Sequence, residues 1–183
     1  MNALVVALVG TDHHPFDRLV GWIDDAAARH GDVRFVVQHG VTRAPSRAEG
    51  HDFLARGVLD GLLEEATAVV CHGGPALVMD AREAGHVPLC VPRDPVLGEH
   101  VDDHQQRFAE LVGRVGVVVD IRSQAAFESE LARALREGPP DPGSNASVHE
   151  ARDLARTRAA AELAAVMLRS PTGRPRRRRH APA

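Results

Sequence analysis

At 183 residues, the chain is long enough for one domain with a hydrophobic core and too short for two Rossmann-like domains. Its hydrophobic content of 44% excludes a disordered chain, and its aromatic content of 3% argues against the stacking platforms that bind single-stranded nucleic acid. The net charge of −3 is unevenly spread, because nine of the 22 basic residues and only two acidic residues follow residue 150. We therefore expect an acidic globular domain that binds no nucleic acid, followed by a basic end.

Strand and helix patterns alternate along residues 1–137. Continuous apolar runs predict strands buried on both faces of a parallel sheet, and apolar residues three or four apart predict helices between them. The predicted strands are 3–9, 33–38, a short one at 53–54, 68–71, 88–91 and 115–120. The predicted helices run from Phe16 to near Gly31 and from Val58 to Leu63, and over 76–84, 101–112 and 125–136. This alternation predicts an α/β fold, a Rossmann-like parallel sheet with helices on both faces.

The chain beyond this domain changes in composition. Residues 138–149 are rich in proline and glycine and predict a linker. Residues 150–168 regain a helical pattern and predict a helix that would pack on the domain or on a partner. Residues 169–183 predict a disordered basic tail. Its four consecutive arginines, Arg176–Arg179, are suited to an anionic membrane surface, although short basic tails are often only solvated.

Nothing in the sequence predicts export or a membrane span. The opening residues Met1–Ala3 carry no basic segment, and no apolar run reaches the 18 or so residues that cross a bilayer. Cys71 and Cys90 end predicted strands, as expected of small core residues in a reducing cytosol. We expect a cytoplasmic protein, peripheral at the inner face of the plasma membrane at most.

The most informative segment is the turn His72-Gly73-Gly74-Pro75, which joins the predicted strand 68–71 directly to a helix. Glycines let the backbone approach an anion closely, and the N–H groups and dipole of a helix N-terminus favour negative charge. Pro75 has no N–H, so the binding groups would come from the rest of Gly73–Ala76. The segment predicts a phosphate-binding turn, with a tight turn of purely structural role as the alternative.

Other polar segments also follow predicted strands, and they are Gly10-Thr11-Asp12-His13-His14, Gln38-His39-Gly40 and Arg93–Gln105. Ligands of open α/β sheets bind outside the carboxyl ends of the strands, so we expect these segments to share one edge. His13 and His14 are candidates for a general base or a leaving-group contact, although no catalytic residue is assigned. Asp102 and Asp103 would anchor the loop or cap the following helix.

Eleven histidines raise the question of a metal site. Six of them lie in loops at the predicted functional edge, namely His13, His14, His39, His72, His100 and His104. No Cys-x-x-Cys pair accompanies them. We therefore favour polar lining of a ligand pocket and expect no metal, with a metal site as the alternative.

Taken together, these segments resemble the C-terminal domain of glycosyltransferase family 28. The similarity spans roughly residues 3 to 125 and rests on the His-Gly-Gly turn, an acid in the next helix, and Asp103-His104-Gln105 after a proline-rich loop. Thr11 after Gly10 and the Gln38–Gly40 turn also fit. The chain is most similar to the stand-alone subunits of two-part N-acetylglucosaminyl or hexosyl transferases, whose acceptor half lies on another chain.

The resemblance implies a single half-domain of the GT-B type and a metal-independent glycosyltransferase of polysaccharide biosynthesis. A UDP-sugar would be the co-substrate, and no cofactor would be needed. A hexosyl or N-acetylhexosaminyl group would be transferred to a lipid-linked acceptor. A second, membrane-associated subunit would hold that acceptor. The donor-binding residues that it implies are Gly10, Thr11, His72, Gly73, Gly74, Pro75, Ala76, Asp80, Asp103, His104 and Gln105. Asp80 would hold the ribose hydroxyls, and His104 and Gln105 would contact the sugar.

Two departures from the family pattern keep alternatives open. The family commonly has Glu where this chain has Asp80, and a second glycine with Ser or Thr where it has Ala76 and Leu77. The second change removes a hydroxyl donor, as expected of a non-catalytic nucleotide-sugar-binding or regulatory module. A third hypothesis is an isomerase or epimerase acting on UDP-sugars, although those enzymes normally carry both domains in one chain.

Overall fold

The computed structural model describes residues 3–141. Its strands are β1 (Leu4–Leu8), β2 (Arg34–Gln38), β3 (Glu49–His51), β4 (Ala68–Cys71), β5 (Leu89–Cys90) and β6 (Val119–Asp120). Its helices are α1 (Asp17–Arg29), α2 (Arg56–Glu65), α3 (Pro75–Glu83), α4 (His104–Arg114) and α5 (Gln124–Glu137), with a 3-10 turn at Pro95–Leu97. The strands form one sheet in the order β3-β2-β1-β4-β5-β6, and every pairing is parallel. The predicted α/β fold is confirmed.

Helices cover both faces of the sheet, and β1 shows why its sequence is apolar throughout. Successive side chains of a strand point to opposite faces. Val5 and Ala7 pack in the hydrophobic cluster that includes α1 and α5, whereas Leu4, Val6 and Leu8 pack in the cluster that includes α2, α3 and α4. A strand with helices on both sides has no solvent-facing position, so a polar residue in β1 would be buried without a partner.

The order of the strands creates a crevice beside β1. The chain runs outward from β1 to β2 and β3, and then returns to the other side of β1 with β4. Leu8, near the end of β1, pairs with Gln38 of β2 and with Cys71 of β4. The loops after these three strands therefore start side by side, at the point where ligands bind in open α/β sheets.

The short strand predicted at Phe53-Leu54 is wrong, and the edge strand is β3 instead. β3 lies just before that dipeptide, at the edge of the sheet, and pairs with β2 from Val36↔Glu49 to Gln38↔His51. An exposed edge strand is held mainly by backbone hydrogen bonds to its neighbour and buries few side chains. Its sequence therefore shows no hydrophobic pattern. Phe53 is 70% exposed.

Two other predicted elements begin later than expected. The helix predicted from Val101 starts at His104, whose N–H donates to Asp102 Oδ1 at 3.0 Å in an Asx turn. The strand predicted over 115–120 is confined to Val119–Asp120, because Gly116 with φ +73° forms a turn after α4. In both cases an apolar valine at the start of the pattern lies in an exposed loop, where it gains nothing from regular structure.

The predicted linker (138–149), C-terminal helix (150–168) and basic tail (169–183) lie wholly or almost wholly outside the described residues and stay predictions. The last described helix ends at Glu137. Between residues 3 and 141, none of the helices combines the length and apolarity that crossing a bilayer requires. Cys71 and Cys90 are buried free thiols on neighbouring strands, in agreement with the predicted core role.

Candidate functional site

A cavity of about 410 Å³ opens at the carboxyl ends of β1, β2 and β4. Its lining comes from the turns after these strands and from α2 and α3, and consists of Gly10, Thr11, Gln38, Phe53, Leu54, Arg56, Leu59, His72, Gly74, Pro75, Ala76 and Leu77. Six of the eleven residues that the family resemblance implies lie on this wall. The cavity is large enough for much of a nucleotide, with apolar residues on one side and glycine turns on the other.

The glycines at this cavity are required by the His72 ring. A Cβ on Gly10, whose φ is +92°, would lie 2.7 Å from His72 Nε2, and a Cβ on Gly74 would overlap the same ring. A Cβ on Gly73 would lie 2.8 Å from Gln105 Cβ, on the other side of the turn. No larger residue fits at these three positions unless the neighbouring groups move.

The N-terminus of α3 opens on the cavity. Gly74 is the N-cap and provides no side chain to satisfy the N–H groups of the first turn, and Pro75 at the first position has no N–H. Ala76 and Leu77 line the cavity directly after it. The backbone N–H groups of this turn and the helix dipole are therefore suited to an anion, as the sequence predicts.

Arg56 is a cavity residue that the sequence analysis missed. It is the first residue of α2, and its Nη1 donates to Asp80 Oδ1 of α3 at 2.8 Å. No motif marks Arg56, because only the fold brings the start of α2 to the same cavity as the N-terminus of α3. Asp80, the predicted ribose ligand, is not among the residues that line the cavity, and it pairs with Arg56. Arg56 and the N-terminus of α3 both line the cavity.

The predicted residues at the start of α4 are divided by the structure. Gln105 is buried at 3% exposure, and its Oε1 lies 3.3 Å from His72 Nδ1 and accepts the Arg93 N–H at 3.3 Å. Asp103 and His104 are exposed and do not line the cavity, and Asp103 pairs with Arg107 at 2.9 Å. Gln105 thus braces the glycine turn from behind, whereas Asp103 and His104 face solvent.

The two catalytic candidates differ in how they are held. Asp12 Oδ1 accepts the His14 backbone N–H at 2.8 Å and lies 2.6 Å from His14 Nδ1, whereas the His13 side chain is 82% exposed. Burial opposes ionisation of Asp12, but the hydrogen bonds from His14 and the charge of Arg93 outweigh it and lower the Asp12 pKa to about 2. An ionised Asp12 orients the His14 ring, so His14 is the better-ordered candidate.

Histidine and carboxylate groups come together in two places where a metal ion would find ligands. In each group, Asp12-His13-His14 and His100-Asp102-His104, the ligand atoms lie within 4.8 Å of one another. Asp12 Oδ2 is also 3.6 Å from His100 Nε2, which joins the two groups. His14 and His104 each direct Nδ1 to the carboxylate two residues before it, so these atoms are already engaged in hydrogen bonds.

The folded protein resists protonation of His72. Burial is the main cause and lowers the His72 pKa from 6.5 to about 4, the charges of Arg93 and His100 act in the same direction, and Gln105 and Asp12 oppose them. Between these pH values the unfolded chain binds the proton more readily, so the free energy of unfolding falls as the pH drops from about 6.5 to 4. The loss expected from a shift of this size is on the order of 3 kcal/mol.

Urea unfolding measured across this pH range tests the prediction, with His72→Gln as the variant. Its free energy of unfolding should depend less on pH than that of the wild type. His86→Gln is the comparison, because burial also lowers the pKa of His86, far from the cavity lining. Equal pH dependence in the wild type and His72→Gln would contradict the assignment.

Comparisons with known proteins identify the family and the fold. Residues 8–163 match the family described as Glycosyltransferase family 28 C-terminal domain. The structure is similar to the glycotransferase of kitacinnamycin, with 20% identity and a TM-score of 0.58 over 88% of this chain and 43% of that chain. It is also similar to CalG4, the calicheamicin glycosyltransferase, with 19% identity and a TM-score of 0.57 over 92% of this chain and 44% of that chain.

A third similar structure is the solution structure of ALG13, with 18% identity and a TM-score of 0.51 over 81% of this chain and 93% of that chain. No curated protein sequence matches the chain significantly. At these identities the structural similarity shows the fold, a Rossmann-like half-domain of the GT-B type. The chain spans less than half the length of the first two proteins and nearly all of the third.

Proposed function

Because the chain belongs to the glycosyltransferase family 28 C-terminal domains, we propose that it is the donor-binding half of a glycosyltransferase. The donor would be a UDP-sugar. The observation that carries the proposal is the cavity at the carboxyl ends of β1 and β4, which is lined by both the first turn of α3 and Arg56. An N-terminal helical turn and a guanidinium are both suited to a diphosphate.

In the proposed reaction, an acceptor hydroxyl attacks the anomeric carbon while the bond to the diphosphate breaks. The leaving UDP gains negative charge, which the α3 N-terminus and Arg56 would stabilise without a metal ion or cofactor. Asp80 accepts a hydrogen bond from Arg56 at 2.8 Å and would orient it besides holding the ribose. The hydroxyl proton would pass to a base, either His14 or a group of the partner.

A second subunit would hold the acceptor. The chain covers only 43% and 44% of the two larger glycosyltransferases, whereas ALG13 is covered over 93% of its length, so that structure contains little beyond this domain. We propose that the missing half is a membrane-associated chain with a lipid-linked acceptor, to which a hexosyl or N-acetylhexosaminyl group is transferred. The protein would act on the cytoplasmic side, with Arg176–Arg179 at the anionic membrane surface.

A non-catalytic nucleotide-sugar-binding module is the second candidate. It is favoured by Ala76 and Leu77, which line the cavity where the family commonly offers a hydroxyl donor. Such a module would bind UDP without turning over a UDP-sugar, even when the acceptor subunit is present.

Calorimetric titration of the full chain with UDP, UDP-glucose and UDP-N-acetylglucosamine tests the proposal. Removing the Arg56 charge in Arg56→Gln should weaken UDP binding about 10-fold or more, since a charge-assisted hydrogen bond contributes about 1.5–3 kcal/mol. Asp80→Ala should also weaken UDP binding, whereas His104→Ala should remove only an increment that depends on the sugar. The matched control is Asp32→Ala, an exposed aspartate before β2 at the opposite edge of the sheet.

The proposal is contradicted if none of the three nucleotides binds saturably up to millimolar concentration. Binding that Arg56→Gln and Asp80→Ala leave unchanged would place the nucleotide somewhere other than this cavity. Turnover would then separate the two candidates, since release of UDP from a UDP-sugar in the presence of the acceptor subunit is expected only of a transferase.

A further inference from the structure

Arg93 is the largest side chain with no exposed surface among the described residues. It lies three residues after the end of β5, and a buried guanidinium is costly unless its donors are satisfied. Its Nη1 donates to the carbonyl oxygens of His14 at 2.6 Å and Glu99 at 3.0 Å, and its Nη2 donates to the carbonyl of Val9 at 3.0 Å. One side chain therefore holds the loop after β1 against the loop before α4.

Other contacts show that this placement is specific. The Arg93 Cζ lies 4.8 Å from the centroid of the Phe16 ring, within the range of a cation–π interaction. The Arg93 backbone N–H donates to Gln105 Oε1, which also contacts His72. Nε is buried without a hydrogen-bond partner in the described part of the chain, a cost that the rest of the network must offset.

The loop that carries Glu99 is fastened from a second side. Arg18 of α1 binds both carboxylate oxygens of Glu99, at 2.9 Å and 2.7 Å, and donates to the Pro92 carbonyl at 3.0 Å. Glu99 Oε2 in turn accepts the Asp94 N–H at 2.8 Å. Arg18 thus supports the loop after β5, whereas Arg93 also contacts the Val9 and His14 carbonyls of the loop after β1.

We propose that Arg93 is the positioning residue of the functional edge, a buried cation that sets the Asp12–His14 turn against the loop before α4, which leads to Gln105 behind the His72 turn. Its role in donor binding rests on the proposed function, whereas its role in placing His14 and His72 does not. Lysine would not replace it, because one ammonium group lacks the planar fork that joins three carbonyls while lying on an aromatic ring.

The charge of Arg93 has a separate consequence. The positive charge of Arg93 lowers the pKa of Asp12, in addition to the hydrogen bonds from His14. It also lowers the pKa of His72, in addition to burial. The groups that face His72 are Gln105 of α4, Arg93 and His100 of the loop after β5, and Asp12 of the loop after β1. A neutral substitution at position 93 therefore changes geometry and charge, whereas lysine changes mainly geometry.

Histidine-ring NMR spectra of the full chain test the proposal independently of any ligand. In Arg93→Lys, we expect the His14 ring to lose its fixed pairing with Asp12, seen as a changed tautomer signature, while the His72 pKa shifts little. In Arg93→Met, both the His14 signature and the His72 pKa should change, the latter upward from about 4. The matched control Arg18→Met removes a neighbouring guanidinium and should leave both rings as in the wild type.

Titration with UDP is the second arm of the test. Both Arg93 variants should bind UDP at least tenfold more weakly than the wild type and Arg18→Met. If the wild type binds no UDP, the proposed function fails while the NMR arm still decides the role of Arg93. Unchanged His14 and His72 signals in folded Arg93→Met would overturn the proposal. If the methionine variant does not fold, an unchanged His14 signature in folded Arg93→Lys would overturn it.

Discussion

Replacing Gly40 by alanine is expected to lower the free energy of unfolding by about 2–4 kcal/mol. Gly40 has a φ of +59°, in the left-handed region that costs an L-residue about 1–2 kcal/mol. A Cβ at this position would also overlap the backbone carbonyl oxygen of Gly10, and relieving such overpacking typically costs about 1–3 kcal/mol. The substitution would force apart the loops after β1 and β2, which form one wall of the cavity.

The same chemical change elsewhere provides the control. Gly61 lies inside α2, and a Cβ at this position would have open space around it. Because alanine favours a helix interior over glycine, Gly61→Ala should raise the free energy of unfolding by about 0.5–1 kcal/mol. Both variants and the wild type are compared by urea unfolding at pH 7. A Gly40→Ala variant as stable as the wild type would show that Gly40 does not pack closely against the Gly10 carbonyl oxygen.

Truncating Phe16 to alanine should cost about 3–5 kcal/mol. Phe16 has no exposed surface and lies in the core cluster that includes α1 and α5. Its ring also carries the Arg93 guanidinium on its face, at 4.8 Å from the centroid, and the Arg18 guanidinium at 5.1 Å. Removing the ring leaves a cavity beside a buried charge, so we expect a loss toward the upper end of this range.

Phe53→Ala is the matched control for this truncation. The Phe53 side chain is 70% exposed on the cavity rim, and substitutions at exposed positions usually change stability by less than about 0.5 kcal/mol. Unfolding curves should therefore separate the two variants clearly. Similar losses in Phe16→Ala and Phe53→Ala would mean that Phe16 is not part of the core.

The sequence determined the features that local pattern controls. The apolar run of β1 predicts that helices cover both faces of the sheet. The apolar residues of α1, which recur at helical spacing, predict which side of that helix is buried. The His72–Pro75 turn also follows from sequence alone, because glycine permits backbone conformations that other residues avoid and proline fixes φ. These signals arise within a few residues of the element they specify.

Only the tertiary structure decided which side chains meet at the functional edge of the sheet. Arg56 belongs to no motif, Arg93 is marked in the sequence only as the start of a polar segment, and the edge strand β3 has no apolar pattern. The role of each therefore depends on partners that are distant in sequence. Packing also distinguished His14, held by Asp12, from the exposed His13, and placed Gln105 inside the protein behind the glycine turn. Burial and charge pairing depend on three-dimensional neighbours, whereas periodicity depends only on the chain itself.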